Sequence, residues 1–368
     1  MKIKIAEIAD IHFGFMSTAT LKLYSNLKAN FINWLKENSP DVNIIAICGD
    51  LFHLKLALTS NEAIYAVRFV QDLRYEFPNA RIILVKGTRA HDLNQLDVFN
   101  SMVSENFKIY NTVEEDYYTD EFKYLVIPEE YYPDKSVYDK YLKSNEKYDW
   151  VFFHGMFSFA GSYALMTGNK FNKICFTSSD FESIVYGKVV GGHIHMPLEE
   201  SKIEYCGSFE RWKHGEEENK GFRYHEYDTK TKEILRDEFI ENKDASVYKT
   251  VSFKEFDCEN LQNLVKQIDI RQEGCVSLRI KISKNDEITD IQSENLVAAC
   301  MTFNNVILFK ETSTIKKTMS EDELKAVEDR KKRISEYDNL SFNEITIKYA
   351  KDVLGKSITD KQIQEVLE

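Results

Sequence analysis

The stretch VVGGHIHMP, residues 189–197, carries the clearest signal about the fold and the chemistry of this chain. An apolar run reaches two glycines, and His193 and His195 then follow two positions apart. Side chains at i and i+2 of a strand point to one face, so this spacing predicts two imidazoles side by side. A lone His-x-His pair is more often a polar strand end facing water, but neutral imidazole is also the commonest side-chain metal ligand. Residues elsewhere must decide between these interpretations.

Similar apolar runs alternate with helical patterns through the first 200 residues. Six of them predict strands: IKIAEIAD, VNIIAICGD, ARIILVKG, YDWVFFHG, GKVVGGHIH and KIEYCGS. Helical spacing indicates one helix over residues 21–35 and another over 96–103, and a Thr59–Glu62 capping box predicts a third helix between them. Strands that alternate with helices predict an α/β domain.

Polar side chains follow five of these predicted strands. Ligands of open α/β sheets bind outside the carboxyl ends of strands, and six of the eight histidines fall at such ends. Carboxylate with imidazole suits Mn, Zn or Fe better than Ca or Mg. The sequence therefore predicts a metal centre with six ligands: Asp10, His12, Asp50, His154, His193 and His195. Two dications about 4 Å apart need a bridging carboxylate, and such pairs typically clamp a phosphoryl group.

The composition limits the kind of partner that the chain can bind. Its 368 residues carry a formal net charge of −12, and neither the part before residue 240 nor the part after it is basic. Any contact with phosphate must therefore be local, with metal ions as one source of positive charge. The six cysteines are scattered and are expected to be reduced core residues. No stretch approaches 18 apolar residues, so we expect no membrane span and a cytoplasmic location.

The pattern restarts near residue 245. SVYKTVSF, CVSLRIKIS and NNVILFK predict three strands with helices between them, and amphipathic segments follow from residue 340. We therefore expect a metal-binding domain over 1–240, a small unit over 245–318 and a helical C-terminal segment over 319–368. The acidic run EEE at 216–218 is expected to be a solvated surface.

The ordered motifs DIHFG, GDLFH, FHG and GGHIH resemble those of the calcineurin-like metallophosphoesterases. GDLFH and the later YCGSFERWKHGEEENKGF are more particular. They resemble the nuclease subunit of DNA double-strand-break repair complexes, the SbcD and meiotic recombination eleven type, which includes recombination endonuclease subunits of tailed phages. The motifs cover residues 1–240. The resemblance implies a sandwich of two sheets flanked by helices, a small α+β capping domain, and C-terminal helices that bind an ATPase partner.

The resemblance also implies roles for individual residues and two divalent metal ions, with Mn²⁺ as the expected ion. It implies this assignment: Asp10, His12 and His195 to the first ion, Asp50 as the bridge, and His154 and His193 to the second. The catalytic residues would be His53, near the scissile phosphate, and His91, which would neutralise charge on the transferring phosphate.

The third motif departs from the family pattern. Gly-Asn-His followed by Asp or Glu is the pattern, with the asparagine as a ligand of the second ion. This chain reads Gly87-Thr88-Arg89-Ala90-His91-Asp92, so the asparagine is missing and two extra residues intervene. Thr88, through its hydroxyl or its carbonyl, or a water would then replace that ligand, and the second ion is expected to bind more weakly.

The function implied is metal-dependent hydrolysis of DNA, as an exonuclease, an endonuclease or both, in a recombination and repair complex with an SbcC-like ABC-type ATPase. DNA and that ATPase are the expected partners, in the cytoplasm of the cell or of a phage host. A phosphoesterase acting on a small molecule or a protein phosphate is the first alternative, and a non-catalytic structural subunit is the second. Cleavage polarity and formation of a homodimer stay open.

Overall fold

The computed structural model describes residues 1–15, 20–129, 134–144, 146–160 and 175–252, together with the strand segments 276–283 and 306–313. Two compact units divide the chain, Met1–Ile282 with Ile288–Glu311, and Ser283–Glu287 with Thr312–Glu368. Every side chain discussed below belongs to the first unit.

Six strands form the first large sheet. Their bounds are β1 Lys2–Ile8, β2 Ile44–Cys48, β3 Arg81–Val85, β4 Phe107–Tyr110, β11 Gly221–Asp228 and β12 Glu233–Glu241. The spatial order is β12-β11-β1-β2-β3-β4, with β1 to β4 parallel and β11 and β12 antiparallel. All residues of β2 and β3 are buried, as their continuous apolar runs predict for strands covered on both faces.

A second large sheet also contains six strands. Their bounds are β5 Glu114–Thr119, β6 Phe122–Ile127, β7 Trp150–His154, β8 Val189–Gly192, β9 Leu198–Glu200 and β10 Ile203–Tyr205. The order is β5-β6-β7-β8-β10-β9, in which β6, β7, β8 and β10 run parallel and the two edge strands run antiparallel to their neighbours.

The two sheets share one buried apolar cluster. It joins Ile44 and Val85 of the first sheet to Tyr124, Trp150 and Val190 of the second. Helices pack on the opposite face of the first sheet, where Phe31 and Phe69 lie in a separate buried cluster. The architecture is therefore α/β, with two mixed sheets and few helices, and it is compatible with the predicted two-sheet sandwich.

Short helical segments connect the strands. Their bounds are α1 Thr20–Asn26, a π-helical stretch Leu27–Ile32, α2 Asn33–Asn38, α3 Asn61–Glu76, a 3₁₀ helix Gln95–Met102, a 3₁₀ helix Lys135–Tyr138, α4 Asp139–Leu142, a 3₁₀ helix Ser158–Ala160 and α5 Ser179–Glu182. Within the described residues, no helix combines the length and the apolar character that a membrane crossing needs.

Most of the predicted elements are present, with corrections at their ends. All six predicted strands of the first 200 residues form, and the helix over 21–35 forms as α1, the π-helical stretch and α2. The Thr59–Glu62 capping box was wrong by one residue, because Ser60 is the N-cap of α3 and its hydroxyl accepts the N–H of Ala63. The helix predicted over 96–103 is a 3₁₀ helix that ends at Met102.

Three further strands form at the positions predicted for the small unit. They are β13 Val247–Ser252, β14 Val276–Ser283 and β15 Val306–Ser313, in the sheet order β13-β14-β15. The helices predicted between them and the whole segment 319–368 lie outside the described residues. Of the cysteines, Cys48 and Cys206 are buried and Cys175 is partly buried, and all three are free thiols, as expected.

Candidate metal centre

The carboxyl ends of parallel strands from both sheets meet at one edge of the molecule. Each contributes polar side chains just past or at its last residue: Asp10 and His12 after β1, Asp50 and His53 after β2, Thr88 and His91 after β3, Glu129 after β6, His154 at the end of β7, and His193 and His195 after β8. All six predicted ligands, both predicted catalytic histidines and Thr88 are among them. We call this group the metal centre.

Backbone strain is concentrated at the predicted ligands. Among the described residues, seven that are not glycine have a positive φ, and four of these are Asp10, His12, Asp50 and His193. A positive φ is uncommon outside glycine, and such conformations cluster at functional sites, where the surrounding structure enforces them. These residues are held where their side chains converge rather than where their backbones are most relaxed.

The same strain overturns the expectation that His193 and His195 share a strand face. Strand β8 ends at Gly192, and His193 has a φ of +96°, so the alternation of a strand does not continue through it. The two rings consequently diverge: His193 contacts Glu129, whereas His195 contacts His12. The two histidines belong to two different groups of donors.

The first group consists of Asp10, His12 and His195, whose donor atoms all lie within 4.8 Å of one another. The Nε2 atoms of His12 and His195 are 3.0 Å apart. Nδ1 of His195 lies 2.9 Å from Oε1 of Glu216, which accepts the Nδ1 proton and leaves the Nε2 lone pair facing inward. A carboxylate behind a ligating histidine fixes its tautomer and orientation in this way.

Glu216 was not predicted to have this role. The run 216–218 was expected to be a solvated surface, yet the side chain of Glu216 is only 1% exposed. Its second oxygen accepts the backbone N–H of Trp212, and the Lys220 ammonium lies 3.6 Å away. The expectation was wrong for this residue because the loop turns inward at Trp212, whose ring packs 6.2 Å from that of His12.

The second group consists of Glu129, His154 and His193. Oε2 of Glu129 lies 3.0 Å from Nδ1 of His193 and 3.5 Å from Nε2 of His154. Nδ1 of His154 donates to the carbonyl of Cys48 at 2.8 Å, which turns its Nε2 atom toward the carboxylates. This group therefore also presents an imidazole whose tautomer is set from outside.

Asp50 lies between the two groups. Its Oδ1 atom is 3.5 Å from Nε2 of His154, and its Oδ2 atom is 3.9 Å from Nε2 of His12. Asp92 fixes the backbone around it by accepting the N–H groups of Asp50, Phe52 and Gly87. One carboxylate thus faces a donor of each group, which is the placement that a bridging ligand requires.

Glycines allow the loops to approach this closely. A Cβ added to Gly87 would lie 2.2 Å from both the backbone nitrogen and Oδ1 of Asp50, and one added to Gly49 would lie 2.0 Å from Nδ1 of His154. Neither space holds a methyl group. The glycines of GDLFH and of the third motif are therefore required by packing around Asp50.

His53 and His91 lie on the more open side of the metal centre, next to His12. Their ring centroids are 5.2 and 4.8 Å from that of His12, and Nε2 of His91 is 3.8 Å from Oδ2 of Asp50. Nδ1 of His91 donates to the carbonyl of His53, and the His91 side chain is 24% exposed. Both rings can therefore reach a molecule that approaches Asp50 and His12.

Burial and charge set the protonation of these groups. Burial lowers the pKa of His12 well below its usual value, so the ring keeps a free lone pair. Burial alone would raise the pKa of Asp50, but His154, His12 and His91 together outweigh it and hold this pKa low. Burial likewise opposes a charge on His154, yet Asp50, Asp10 and Glu129 together raise the pKa of this ring well above its usual value. A divalent cation would displace that proton, because only neutral imidazole binds metal.

The donor spacings fit divalent ions. Ligands about 2.1 Å from one ion, at tetrahedral or octahedral angles, lie about 3.0 to 3.5 Å from each other. His12 and His195 meet this spacing in the first group, and Glu129 meets it with both histidines of the second. The donor set of carboxylate oxygens and imidazole nitrogens suits Mn, Fe or Zn.

Glu129 is the member of the metal centre that the sequence analysis missed. The run FKYLVIPE, residues 122–129, is an apolar strand that ends in an acid, the same signal that identified the other strand ends. Thr88, predicted as the substitute ligand, does lie in the metal centre, with its hydroxyl 3.2 Å from Oδ2 of Asp50.

Comparison with protein-family models finds none that matches this chain, and comparison with curated proteins finds no match either.

Proposed function

We propose that the chain is a two-metal phosphoesterase that hydrolyses phosphodiester bonds of DNA. One observation carries the proposal: Asp50 and two groups of imidazole and carboxylate donors, one on each side of it, converge from five strand ends of two sheets. Two-metal sites of this composition typically serve phosphoryl transfer to water. The calcineurin-like metallophosphoesterase fold is part of the same proposal, which the pair of mixed six-stranded sheets supports.

The bound ions, expected to be Mn²⁺, would supply Lewis acidity toward a phosphoryl oxygen and activation of the attacking water. Asp10, His12 and His195 would hold one of them, and His154 and His193 the other, with Asp50 between. His91 and His53 act on the substrate itself. Their rings lie beside His12 on the open side, where the Nε2 edge of His91 can contact the phosphate on which negative charge develops.

DNA as the substrate and an SbcC-like ATPase as the partner rest on the motifs GDLFH and YCGSFERWKHGEEENKGF. The structure gives a physical role to residues of the motif YCGSFERWKHGEEENKGF. Its first part follows β10, and its loop carries Trp212 and Glu216, which pack against and orient the ligands His12 and His195. The motif therefore supports the metal centre directly, and the segment 340–368 is proposed to bind the ATPase.

The test is a nuclease assay of the purified chain with Mn²⁺, alone and with a co-expressed SbcC-like ATPase. We expect hydrolysis of linear DNA that depends on Mn²⁺ and falls by at least about 1,000-fold in Asp50→Asn, because a neutral amide bridges two dications poorly. Asn tolerates the φ of +52° at this position, so the variant keeps its backbone.

An exposed acid provides the matched control. Glu105 precedes β4, at the amino ends of the parallel strands and thus opposite the metal centre, and Glu105→Gln is expected to keep full activity. Wild-type rates in Asp50→Asn would refute the two-metal proposal. Hydrolysis of a generic phosphodiester, without any hydrolysis of DNA in either assay, would favour the small-molecule phosphoesterase instead.

A further inference from the structure

We propose that the Glu129 carboxylate replaces the asparagine missing from the third motif and completes the site of the second ion with Asp50, His154 and His193. The inference rests on the proposed function, since it assumes that the metal centre holds two ions. It assigns a ligand that the motifs do not contain and that comes from a different strand.

The backbone places Glu129 beside the altered motif. Glu129 lies two residues past the end of β6, and its N–H donates to the carbonyl of Lys86 at 3.1 Å. Lys86 directly precedes Gly87 and Thr88, where the motif begins. Strand β6 also pairs in parallel with β7, whose last residue is His154. The side chain of Glu129 therefore enters the metal centre between the third motif and a ligand of the second ion.

The position of the carboxylate is that of a ligand. Oε2 lies 3.0 Å from Nδ1 of His193, 3.5 Å from Nε2 of His154 and 3.0 Å from the hydroxyl of Thr88. Atoms bound to one ion at about 2.1 Å have the same mutual spacing. The side chain is also buried, as expected for a ligand that faces the inside of the metal centre.

Thr88 is the competing ligand, and its contacts assign it a supporting role. Its hydroxyl lies 3.0 Å from Oε2 of Glu129 and 3.2 Å from Oδ2 of Asp50, and its backbone N–H donates to Oδ1 of Asp50. A neutral hydroxyl is a much weaker ligand than a carboxylate for such ions. Thr88 is thus a positioning residue that orients two carboxylates, and Glu129 is the ligand.

The replacement changes the charge of the site. An amide ligand leaves two carboxylates, Asp10 and Asp50, around two dications, whereas Glu129 adds a third. A third negative charge strengthens the binding of the second cation. The weakening expected from the missing asparagine is therefore replaced by an expectation of two sites of comparable affinity.

Binding of Mn²⁺ to the metal-stripped chain tests the inference without an activity readout. Titration calorimetry gives stoichiometry and affinity, and electron paramagnetic resonance distinguishes an exchange-coupled pair of ions from a single one. We expect two coupled ions in the wild type and in Glu105→Gln. In Glu129→Ala the second ion should bind at least about 100-fold more weakly, and the signal of the coupled ions should disappear. This loss of affinity is larger than the typical loss when a residue that only orients a metal ligand is removed. Thr88→Ala should keep two ions, with the second weakened about 10-fold.

The outcomes separate this inference from the function on which it rests. Fewer than two ions in the wild type would refute the two-metal centre itself. Two ions of wild-type affinity in Glu129→Ala would refute the role of Glu129 alone, and loss of the second ion only in Thr88→Ala would assign the ligand to Thr88. If Glu129→Ala does not fold, Glu129→Gln decides, since the amide keeps the shape and must still weaken the second ion.

Discussion

Two largely buried groups of charged side chains and histidine lie in the described part of this protein, one at the strand ends and one between the sheets. The second, which we call the inter-sheet cluster, consists of Glu7, Lys188, Glu204, Arg223, His225 and Asp237. Its central ring, His225, has Nδ1 3.1 Å from Oε2 of Glu7 and Nε2 3.1 Å from Oε2 of Glu204. The metal centre also places carboxylates next to imidazoles at similar distances.

The two groups differ in how their negative charge is balanced. In the inter-sheet cluster, Lys188 pairs with Glu204 and Asp237, and Arg223 lies 3.6 Å from Glu204. In the metal centre the ion-pair partners of Asp50 are His12, His91 and His154. Within the part of the chain that the structure describes, no lysine or arginine pairs with Asp10 or Asp50.

Ligand types alone therefore do not define a metal site. Glu204, His225 and Asp237 are close enough to hold an ion, yet the chain supplies its own cations to them. At the metal centre strained backbones bring carboxylates and imidazoles together, and no lysine or arginine pairs with Asp10 or Asp50 among the described residues. We infer that the first arrangement holds the sheets together and the second holds ions.

The largest effect on stability is expected from His225→Ala. Removing one partner of a buried ion cluster leaves uncompensated charges, so the free energy of unfolding should fall by about 3 to 5 kcal/mol. Because no metal ion takes part, urea unfolding should show the same loss with Mn²⁺ and with a chelator. The control His214→Ala removes a partly exposed ring outside both groups and should cost about 1 kcal/mol or less.

Metal binding by His225→Ala gives the sharper half of this experiment. The variant should still bind two Mn²⁺ ions if the cluster only joins the sheets. Loss of an ion would mean that the inter-sheet cluster is itself a metal site, and the distinction between the two groups would be wrong.

The sequence predicted which residues form the metal centre better than it predicted the backbone conformations that orient their side chains. Polar residues after apolar runs identified six side chains that the structure brings together, because parallel strands bring their carboxyl ends to one edge regardless of loop detail. The conformations of His193 and His195 were not predictable in this way. A positive φ at His193 is enforced by the loops around it, and no local pattern encodes that strain.

Glu129 and the inter-sheet cluster were missed for a different reason. Glu129 becomes a candidate ligand only when β6 pairs with β7 and its backbone binds Lys86, contacts between residues distant in the chain. Similarly, Glu7 and His225 are 218 residues apart and read as ordinary polar positions within strands. Charge balance at each group depends on such pairings, which one sequence does not reveal.

The inter-sheet cluster also predicts how stability depends on pH. Burial alone would lower the pKa of His225, but Glu7 and its other acidic neighbours outweigh it and raise this pKa well above the usual value. Burial also raises the pKa of Glu7, so the contribution of Glu7 to stability likewise falls as the pH rises. The groups that face the ring are Glu7, Glu204, Asp237, Arg223, Lys188 and the indole of Trp150.

Since folded His225 keeps its proton above the unfolded pKa of about 6.5, its contribution is complete below that pH and is lost as the pH rises toward the folded value. The free energy of unfolding should fall by up to about 1.4 kcal/mol per pH unit in that window. Urea titrations in chelator between pH 6 and 9 measure it, and His225→Gln should flatten the curve. An equal slope in that variant would show that other groups cause the dependence.

The smallest effect on stability is expected from an acid-to-amide change in the metal centre. The same change in the inter-sheet cluster provides the comparison. Asp10 is fully buried, and the described partner of its carboxylate is the backbone N–H of His193, so the metal-free protein should lose no more than about 1 kcal/mol in Asp10→Asn. Glu204→Gln, by contrast, leaves Lys188 and Arg223 undercompensated and should destabilise the protein with or without Mn²⁺.

Adding Mn²⁺ at about 100 times its dissociation constant should raise the unfolding free energy of the wild type by about 2.7 kcal/mol per ion. In Asp10→Asn the part of this increase that comes from the first ion should be lost, whereas Glu204→Gln should keep the full increase in unfolding free energy. A metal-free Asp10→Asn protein destabilised as much as Glu204→Gln would mean that both acids are balanced by the chain itself, and that the metal centre needs no ion to be stable.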